Sequence, residues 1–498
     1  MNVNPITRLD YPDPDVIRVE DTYYMVSTTM HFMPGCEILQ SFDLVHWEHV
    51  NYVYETLDHT DAQQLKSGQN IYGQGMWAAS LRYHEGRFYI CFVANDTRKT
   101  YLYTSEKIDG PWKKQLIEGF YHDGSLLFDE DGRNYIVYGN DEIWITELNE
   151  DLTAPKKDGL HRLLVSDHKN PELGYEGSHI QKINGYYYIF LVHSLRDRWM
   201  RTEACFYSDS LEGEFTGGDV LCDDRGYCGQ GVAQGGIVDT PDGKWYAMLF
   251  QDSGAVGRIP ILLPVTWKDH FPFFGQNGHV PEEIEVHSTR PGYIYQPLVG
   301  SDDFCNGLLP RWQFNHDPDP RYYHLDALQG TYTITTREVC TELTQAVNTL
   351  TQRMSYPSCA AEVTVDASAL KEGDVAGLCA LQGCYAAVGI TKHHGKYEVL
   401  MLDKKEDGIL DMTEGTVVES HQMDFRLEAD FCNMKDEARC YYRVNKGDWL
   451  PIGTVHKLYF KLDHFTGCRF GLFCYAAEET GGSACFRDFK YYDVDEIS

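Results

Sequence analysis

The sequence lacks any apolar stretch long enough to cross a bilayer, and its N-terminus shows no basic region followed by an apolar one. Basic residues are also scarce, because 43 Lys and Arg stand against 75 Asp and Glu, which gives a net charge of −32. Such a chain repels nucleic acids and anionic membrane surfaces, so neither is an expected partner. These absences predict a cytoplasmic protein with a neutral substrate.

Paired cysteine spacings are missing as well. The 15 cysteines are an odd number and are scattered, which argues against a disulfide framework and favours free thiols. Cys222 and Cys228, with Cys205 upstream, are the tightest local group, but no second pair and no nearby histidine completes a zinc site. We therefore expect no metal ion among the catalytic residues.

Helical periodicity is scarce, whereas one short phrase recurs five times in the first half of the chain. In four of the five repeats an acidic or amide residue precedes glycine, as a tight hairpin turn with positive φ requires, and an aromatic and apolar run follows, as in a strand. The repeats lie roughly 45–65 residues apart, which is typical of β-propeller blades. They occupy residues 20–25, 85–90, 131–136, 184–189 and 242–247. Five repeats predict a five-bladed β-propeller over residues 1–295.

A different pattern follows the last repeat, after a connector that contains Pro281 and Pro291. Short alternating runs, separated by Gly, Asp and Lys turns, are typical of the strands of a β-sandwich. Three of these runs cover residues 330–335, 360–365 and 397–402. A length of 498 residues also exceeds one ordinary core. We predict an all-β chain in which residues 296–498 form a β-sandwich of the jelly-roll type.

Three carboxylates occupy the same place in three different repeats. Asp13 lies between two prolines before the first repeat, Asp123 enters the third and Glu176 enters the fourth. Equivalent places in a propeller converge on its axis, although any single acidic residue is more often a surface charge. Converging carboxylates are what glycoside hydrolysis needs, because one activates water while another protonates the leaving oxygen.

Four motifs in a fixed order add a family resemblance to this interpretation. They are Tyr11-Pro12-Asp13-Pro14, Met76-Trp77-Ala78, His122-Asp123-Gly124 and Glu176-Gly177-Ser178-His179. Together they resemble glycoside hydrolase family 43, the five-bladed β-xylosidases and α-L-arabinofuranosidases. Residues 312–319, 350–353 and 376–383 resemble the C-terminal concanavalin-like sandwich of the family's xylosidase-type members. The similarity thus covers nearly the whole chain.

The resemblance implies a role for each carboxylate. Asp13 would be the general base that activates water, and Glu176 would be the general acid. Asp123 would keep Glu176 protonated, because a nearby negative charge raises the pKa of a carboxylic acid. The family inverts the anomeric configuration, so a water molecule should fit between the sugar and Asp13.

The resemblance also implies substrate contacts. Arg258 resembles the family's substrate-contacting arginine, and an inter-blade salt bridge is the alternative. Trp77 and Phe32 resemble aromatic pocket walls, and a place in the blade core is the alternative for both. His31 lies beside Phe32 in a loop where family members vary, and it is a candidate contact for a sugar hydroxyl.

One departure from the family pattern precedes the fifth repeat. Gln234 stands where the family usually has a histidine near a central cation or water. We expect Gln234 to lie at the substrate site, where its amide could hold water or bind calcium weakly. A structural calcium ion stays open, and catalysis on this interpretation requires no cofactor.

The resulting prediction is an inverting exo-glycosidase that releases terminal xylosyl or arabinofuranosyl residues from hemicellulose-derived oligosaccharides. One alternative is a fructosidase of the invertase type, which typically carries Arg-Asp-Pro where this chain has His122-Asp123-Gly124. Another is a non-catalytic carbohydrate-binding propeller, against which the three acids and Arg258 argue. The choice between the two sugars stays open, as does a homo-oligomeric state.

Overall fold

A computed structural model describes residues 2–461 and 465–493 of the chain. Within this range the protein is all-β, as predicted, and has no α-helix, so no helix could cross a membrane. Its helical segments are four single 3-10 turns, at Lys66–Gly68, Gly254–Val256, Leu343–Gln345 and Cys432–Met434. All 15 cysteines are free thiols.

The first part of the chain forms five four-stranded antiparallel sheets, each one blade of a propeller. The short strand β1 (Asn2–Val3) precedes them. Blade 1 contains β2 (Asp15–Val19), β3 (Thr22–Ser27), β5 (Gly35–Ser41) and β6 (Glu48–Tyr54). The short strand β4 (Phe32–Met33) lies between β3 and β5 in the chain but belongs to a sheet of the second part. Blade 2 contains β7 (Ser80–His84), β8 (Arg87–Ala94), β9 (Lys99–Ser105) and β10 (Lys113–Ile117).

The remaining three blades, like blade 2, each contain four consecutive strands. Blade 3 contains β11 (Ser125–Phe128), β12 (Asn134–Asn140), β13 (Glu142–Leu148) and β14 (His161–Ser166). Blade 4 contains β15 (Glu176–Ile183), β16 (Tyr186–Ser194), β17 (Arg201–Ser208) and β18 (Thr216–Leu221). Blade 5 contains β19 (Val232–Asp239), β20 (Trp245–Asp252), β21 (Arg258–Lys268) and β22 (Phe271–Phe274). The strand β23 (Glu283–Ile284) then pairs with β1.

The first strand of each blade faces the axis, because β2, β7, β11, β15 and β19 contact one another in a closed ring. The five sequence repeats form the hairpins between the first and second strands, so the predicted five-bladed propeller is confirmed. Four hairpin glycines have φ between 78° and 84°, which glycine adopts without strain. They are Gly86, Gly132, Gly185 and Gly243. The second strand of blade 4, β16, is buried along its whole length except at its first residue.

The second part of the chain forms two antiparallel sheets. Its strands begin with β24 (Gln313–Asn315), β25 (Tyr323–Asp326), β26 (Thr331–Thr335), β27 (Leu350–Arg353), β28 (Ser358–Asp366), β29 (Val375–Leu381) and β30 (Tyr385–His393). They continue with β31 (Lys396–Lys404), β32 (Leu410–Met412), β33 (Thr416–Val418), β34 (Gln422–Asp430), β35 (Glu437–Arg443), β36 (Leu450–Lys457), β37 (Arg469–Tyr475) and β38 (Ser483–Asp493). The predicted boundary between residues 295 and 296 lies between β23 and β24.

The two sheets pack face to face as a β-sandwich. One has the order β32-β31-β30-β29-β37-β27-β24-β4 with β33 beside β31, and the other has the order β25-β26-β38-β28-β34-β35-β36. Every second residue of β34 is buried between them, which is the alternation expected of a strand with one apolar face. The first sheet ends on β4, a propeller segment, so the two parts share one continuous sheet.

Candidate active site

The three carboxylates predicted from the sequence lie at one end of the propeller axis, where the inner strands begin. Asp13 precedes β2, Asp123 precedes β11, and Glu176 is the first residue of β15. Asp13 and Asp123 have left-handed φ angles of 53° and 48°. Such angles are uncommon for residues other than glycine and concentrate at functional sites.

A cavity of about 170 Å³ opens at this end of the axis. It is smaller than the roughly 300–1,000 Å³ of sites for drug-sized ligands, and its volume suits a single sugar ring. Six residues predicted from the sequence line it: Asp13, Trp77, Asp123, Glu176, Gln234 and Arg258. The other lining residues are His122, Leu173, Trp199, Arg201 and Phe465.

Asp13 is buried and held from both sides. Nη1 of Arg258 donates to Oδ1 of Asp13 over 2.8 Å, and the hydroxyl of Thr28 donates to Oδ2 over 2.5 Å. Asp252 in turn fixes the arginine, because Nε of Arg258 donates to its Oδ1 over 3.2 Å. Nε of Arg201 donates to the other oxygen of Asp252 over 2.9 Å. These charge-assisted hydrogen bonds fix the orientation of the Asp13 carboxylate.

Glu176 lies at a β-bulge of β15, where the register shifts between Glu176 and His179. Bulges re-aim side chains, and they are common beside active sites. Nδ2 of Asn140 donates to Oε2 of Glu176 over 2.7 Å. The next residue, Gly177, has a φ of 63°, and a Cβ there would lie only 2.7 Å from Cγ of Gln234. A larger residue at position 177 would therefore displace either Gln234 or the acid.

Asp123 is the partner that the sequence predicted for Glu176. Its Oδ2 accepts the backbone N–H of Gly177 over 2.9 Å, which ties the two carboxylate segments together. Burial raises the pKa of Asp123 to about 6, and the charges of Glu176 and Asp13 add to this rise while His122 opposes it. The ionisation of Asp123 therefore depends on the charges of Glu176, Asp13 and His122, as expected where acids share a small space.

His122 lies between these two acids. Its Nε2 is 3.4 Å from Oε2 of Glu176 and 3.5 Å from Oδ2 of Asp123. Burial disfavours the imidazolium, but the charges of Asp123 and Glu176 outweigh burial and raise the pKa of His122 to about 9. Burial likewise favours neutral Glu176, but the hydrogen bond and charge of His122 outweigh it and lower the Glu176 pKa. These opposite directions favour a proton on His122 over one on Glu176, and the implied role of Asp123, to keep Glu176 protonated, stays a prediction.

Two family models match the chain. Residues 3–272 match the model described as "Glycosyl hydrolases family 43", and residues 301–492 match "Beta xylosidase C-terminal Concanavalin A-like domain". The chain belongs to glycoside hydrolase family 43. It is therefore a glycoside hydrolase with an oligosaccharide substrate, and neither a fructosidase of the invertase type nor a non-catalytic sugar-binding propeller is favoured.

Relatives with and without solved structures agree with this assignment. A solved "bifunctional GH43-CE" protein of Bacteroides eggerthii is 42% identical with a TM-score of 0.92, over 100% of this chain and 64% of that protein, so this chain spans about two thirds of its length. A β-xylosidase of Formosa agariphila is 27% identical over 99% of this chain and 89% of its own length. A "non-reducing end alpha-L-arabinofuranosidase" of Bacteroides ovatus is 26% identical over 66% of this chain and 63% of its own length.

The sandwich supplies one wall of this family 43 cavity. The ring of Phe465 lies over the guanidinium of Arg258, with 3.9 Å between Cζ and the ring centroid. It also packs edge-on against Trp77 with 5.4 Å between ring centroids. Sequence reasoning missed Phe465, because the segment carries no motif and lies about 200 residues from Arg258 in the chain.

Asp10 joins this wall to the catalytic arginine. Its Oδ1 accepts the backbone N–H of Arg258 over 2.7 Å, and its Oδ2 accepts the backbone N–H of Gly467 over 2.8 Å. One buried carboxylate therefore sets the position of Arg258 and of the loop that carries Phe465. Asp10 precedes the Pro12-Asp13-Pro14 motif, but nothing in the sequence pattern distinguished it from other acids.

Arg201 and Trp199 were also missed. Both line the cavity. Arg201 is the first residue of β17, and Trp199 lies just before this strand. Nη1 of Arg201 and Nε1 of Trp77 are buried without a hydrogen-bond partner among the described residues. Buried donors without partners are uncommon, and both belong to residues that line the cavity.

His31 and Phe32 do not line the cavity formed by the described residues. Phe32 belongs to β4, which pairs with β24, and Arg469 lies over its ring with 3.5 Å between Cζ and the ring centroid. The ring of His31 packs between Tyr72 and Phe32. The structure thus places both residues in the contact between propeller and sandwich, because the extended segment completes the edge of a sandwich sheet.

Gln234 lines the cavity as expected, and its backbone N–H donates to Oε2 of Glu203 over 2.7 Å. Burial raises the pKa of Glu203 well above its usual range, which favours the neutral acid. Oε1 of Glu203 is buried without a hydrogen-bond partner among the described residues. Carboxylate and amide oxygens are donors that calcium takes, so a structural calcium ion at Gln234 stays a prediction. Among the described residues, His122, Asp123 and Glu176 each have a nitrogen or oxygen atom within 4.8 Å of the other two, and the contacts of His122 with the two acids account for this grouping.

A larger cavity of about 440 Å³ lies at the opposite end of the axis. Its charged side chains are already paired: Arg18 with Asp239, and Lys182 with Asp129. The smaller cavity contains the acids with shifted pKa values and the donors without partners, which are the features of a reactive site. We therefore assign the chemistry to the smaller cavity.

Proposed function

We propose that this family 43 glycoside hydrolase is an inverting exo-glycosidase that removes terminal xylosyl or arabinofuranosyl residues from hemicellulose-derived oligosaccharides. One observation carries the proposal. Three carboxylates, Asp13, Asp123 and Glu176, converge in a cavity that is sized for one sugar and walled by aromatic rings. The names of the relatives, a β-xylosidase and an arabinofuranosidase, support this class of substrate.

Asp13 acts as the general base in this proposal. Arg258 and Thr28 each bind one of its oxygens, so the carboxylate cannot rotate away from the water that it activates. The water attacks the anomeric carbon and gives its proton to Asp13 as the new C–O bond forms. Attack from the face opposite the leaving group inverts the configuration.

Glu176 acts as the general acid. It lies in a different blade from Asp13, so the two carboxylates approach the sugar from different sides of the cavity. Asn140 orients Oε2 of Glu176, and Asp123 holds the adjacent backbone through Gly177. The negative charge of Asp123 disfavours a second carboxylate beside it, which opposes the effect of His122 on Glu176 when a sugar fills the cavity.

The shape of the cavity supports action at chain ends. Phe465 and Trp77 form one wall, and the loop of Phe465 comes from the sandwich. A single-sugar cavity with one wall from the sandwich suits the end of a sugar chain better than its middle. Aromatic ring faces also suit the apolar C–H groups of a sugar.

The test is hydrolysis of 4-nitrophenyl β-D-xylopyranoside and 4-nitrophenyl α-L-arabinofuranoside by the purified protein. We expect activity on at least one, and the ratio of the two identifies the preferred sugar. Glu176→Gln should lower kcat on xylobiose or an arabino-oligosaccharide by about 10²–10⁴-fold, the usual contribution of a general acid, and should lower it less on the 4-nitrophenyl glycosides, whose leaving group needs little protonation. Glu172→Gln is the matched control, because Glu172 is exposed on the same segment and does not line the cavity.

The anomer released first, followed by proton NMR, tests the stereochemistry. An initial product of opposite configuration supports inversion, and retention would contradict the assignment of Asp13 as a base. A folded wild-type protein that hydrolyses neither glycoside nor short xylo-oligosaccharides would contradict the proposal as a whole.

A further inference from the structure

We propose that His122 holds the acid proton of the resting enzyme and passes it to Glu176, which delivers it to the leaving oxygen. His122 is then a positioning residue for the proton, because it acts through Glu176. The inference rests on the proposed glycoside hydrolysis and adds a group that this mechanism does not otherwise use.

His122 lies close enough to Glu176 to pass it a proton. Nε2 of His122 lies 3.4 Å from Oε2 of Glu176, the oxygen that also accepts the amide of Asn140. Hydrogen bonds between catalytic groups are often this long before the substrate binds, and they shorten in the complex. The His122 side chain is 22% exposed and lies edge-on to Trp77 at the cavity wall, so it can exchange protons with solvent while it faces the acid.

The charges around His122 and Glu176 favour a proton on the imidazole. Three carboxylates act on the imidazole from different blades, namely Asp123, Glu176 and Asp13, while the guanidinium groups of Arg201 and Arg258 act on Glu176. The carboxylates raise the pKa of His122 to about 9, and His122 lowers the pKa of Glu176. These directions favour an imidazolium beside a carboxylate when no sugar is bound, and the 3.4 Å contact places the proton one transfer from the acid.

A bound substrate changes the proton equilibrium between His122 and Glu176. A sugar that fills the cavity expels water, and loss of water disfavours charged groups relative to neutral ones. The pair of imidazolium and carboxylate then becomes a pair of neutral imidazole and carboxylic acid. The acid is thus generated when a substrate is present.

The proton balance is complete. The N–H bond at Nε2 of His122 breaks and an O–H bond forms at Oε2 of Glu176. As the glycosidic C–O bond breaks, this proton moves to the leaving oxygen, while the attacking water gives a proton to Asp13. Solvent then removes the proton from Asp13 and returns one to His122, and the products are a free sugar and the leaving alcohol.

The test compares pH profiles of kcat/KM for the wild type, His122→Gln and Asn140→Ala, because kcat/KM reports the ionisations of the free enzyme. We expect the alkaline limit to move from about pH 9 in the wild type to about pH 7 in His122→Gln, the upper range of enzymic carboxylic acids. Asn140→Ala is the matched control, since it removes an uncharged donor from the same oxygen and should keep its limit near pH 9. An alkaline limit of His122→Gln that stays in place or rises would overturn the proposal.

A second comparison varies the leaving group. Aryl leaving groups depart without a full proton, whereas sugar leaving groups need one. His122→Gln should therefore lose about 10²-fold on xylobiose or an arabino-oligosaccharide but less than about 10-fold on the 4-nitrophenyl glycosides. Equal losses on both substrates would indicate a structural role and would also overturn the proposal.

Folding and function are controlled separately. Circular dichroism checks that each variant is folded, and His122→Asn serves as a second substitution at the same position. In the wild type, the ¹⁵N chemical shifts of the His122 imidazole show whether the ring stays protonated above pH 8. If the wild type is inactive on every glycoside, the proposed function fails. If the wild type is active, Glu176→Gln is inactive and His122→Gln keeps the wild-type pH profile, only this inference fails.

Discussion

The two ends of the propeller axis are built from the same five strands, yet they differ in what their side chains have left to bind. The larger cavity pairs Arg18 with Asp239 and Lys182 with Asp129. At the smaller cavity, Nη1 of Arg201 and Nε1 of Trp77 have no hydrogen-bond partner within residues 2–461 and 465–493. The size of a cavity therefore does not locate the chemistry here, whereas unpaired donors and acids of shifted pKa do.

Chain connectivity explains the difference. At the end with the larger cavity, tight hairpins such as Glu85-Gly86 join the first strand of a blade to the second, which leaves few residues free. The segments that lead into the blades lie at the end with the smaller cavity, and those before β2, β7 and β11 bring Asp13, Trp77 and Asp123. Function concentrates in such connections because a rigid scaffold positions them.

The largest effect should follow a change at Arg258. Arg258→Met leaves the buried charges of Asp13 and Asp252 without this partner, and removing one member of a buried pair costs about 3–5 kcal/mol. We expect kcat/KM to fall by roughly 10²–10³-fold, as when a preorganised catalytic donor is removed. Kinetics and urea unfolding measure the two effects. Arg258→Lys should recover part of the stability, and a fully active Arg258→Met would contradict the assigned site.

An intermediate effect should follow the loss of the sandwich wall. Phe465→Ala removes the ring over Arg258, a contact of about 1–2 kcal/mol, so kcat/KM should fall by roughly 5–30-fold, mainly through KM. Phe273→Ala is the matched control, because Phe273 is a half-exposed ring on the outer strand β22. Steady-state kinetics on both glycosides provide the measurement. Equal kinetics for the two variants would remove Phe465 from the site.

The smallest effect is expected at the larger cavity. Arg18→Met breaks a partly exposed pair with Asp239, which is worth at most about 1 kcal/mol. The midpoint of urea unfolding should shift slightly, and kcat/KM should stay at the wild-type value. A kinetic loss as large as that of Phe465→Ala would show that the two ends of the axis are not functionally separate.

Much of the fold could be predicted from local sequence. The hairpin phrase repeats because every blade needs the same turn, and Gly132 and Gly243 occupy its positive-φ position. The connections that carry Asp13, Asp123 and Glu176 were found for a related reason, since equivalent places in the blades meet at one axis.

The rest of the site depends on contacts that local patterns do not encode. Phe32 has the composition of a pocket wall, but its segment pairs with Phe314 and Asn315 of the sandwich, nearly 300 residues away. Phe465 reaches the cavity because Gly467 binds Asp10, which is also a long-range contact. The pKa of Glu176 depends on how close His122 lies, and adjacency of His122 to Asp123 in the sequence did not give that distance.

The place of Phe465 in the chain bears on how the enzyme is made. During translation the five blades emerge from the ribosome before β24 and well before Phe465 and Gly467. A nascent propeller therefore has β4 without its sandwich partner and a catalytic cavity that lacks one wall. The complete cavity exists only after synthesis has passed Gly467, so chains that terminate before this point carry all three carboxylates in an unfinished site.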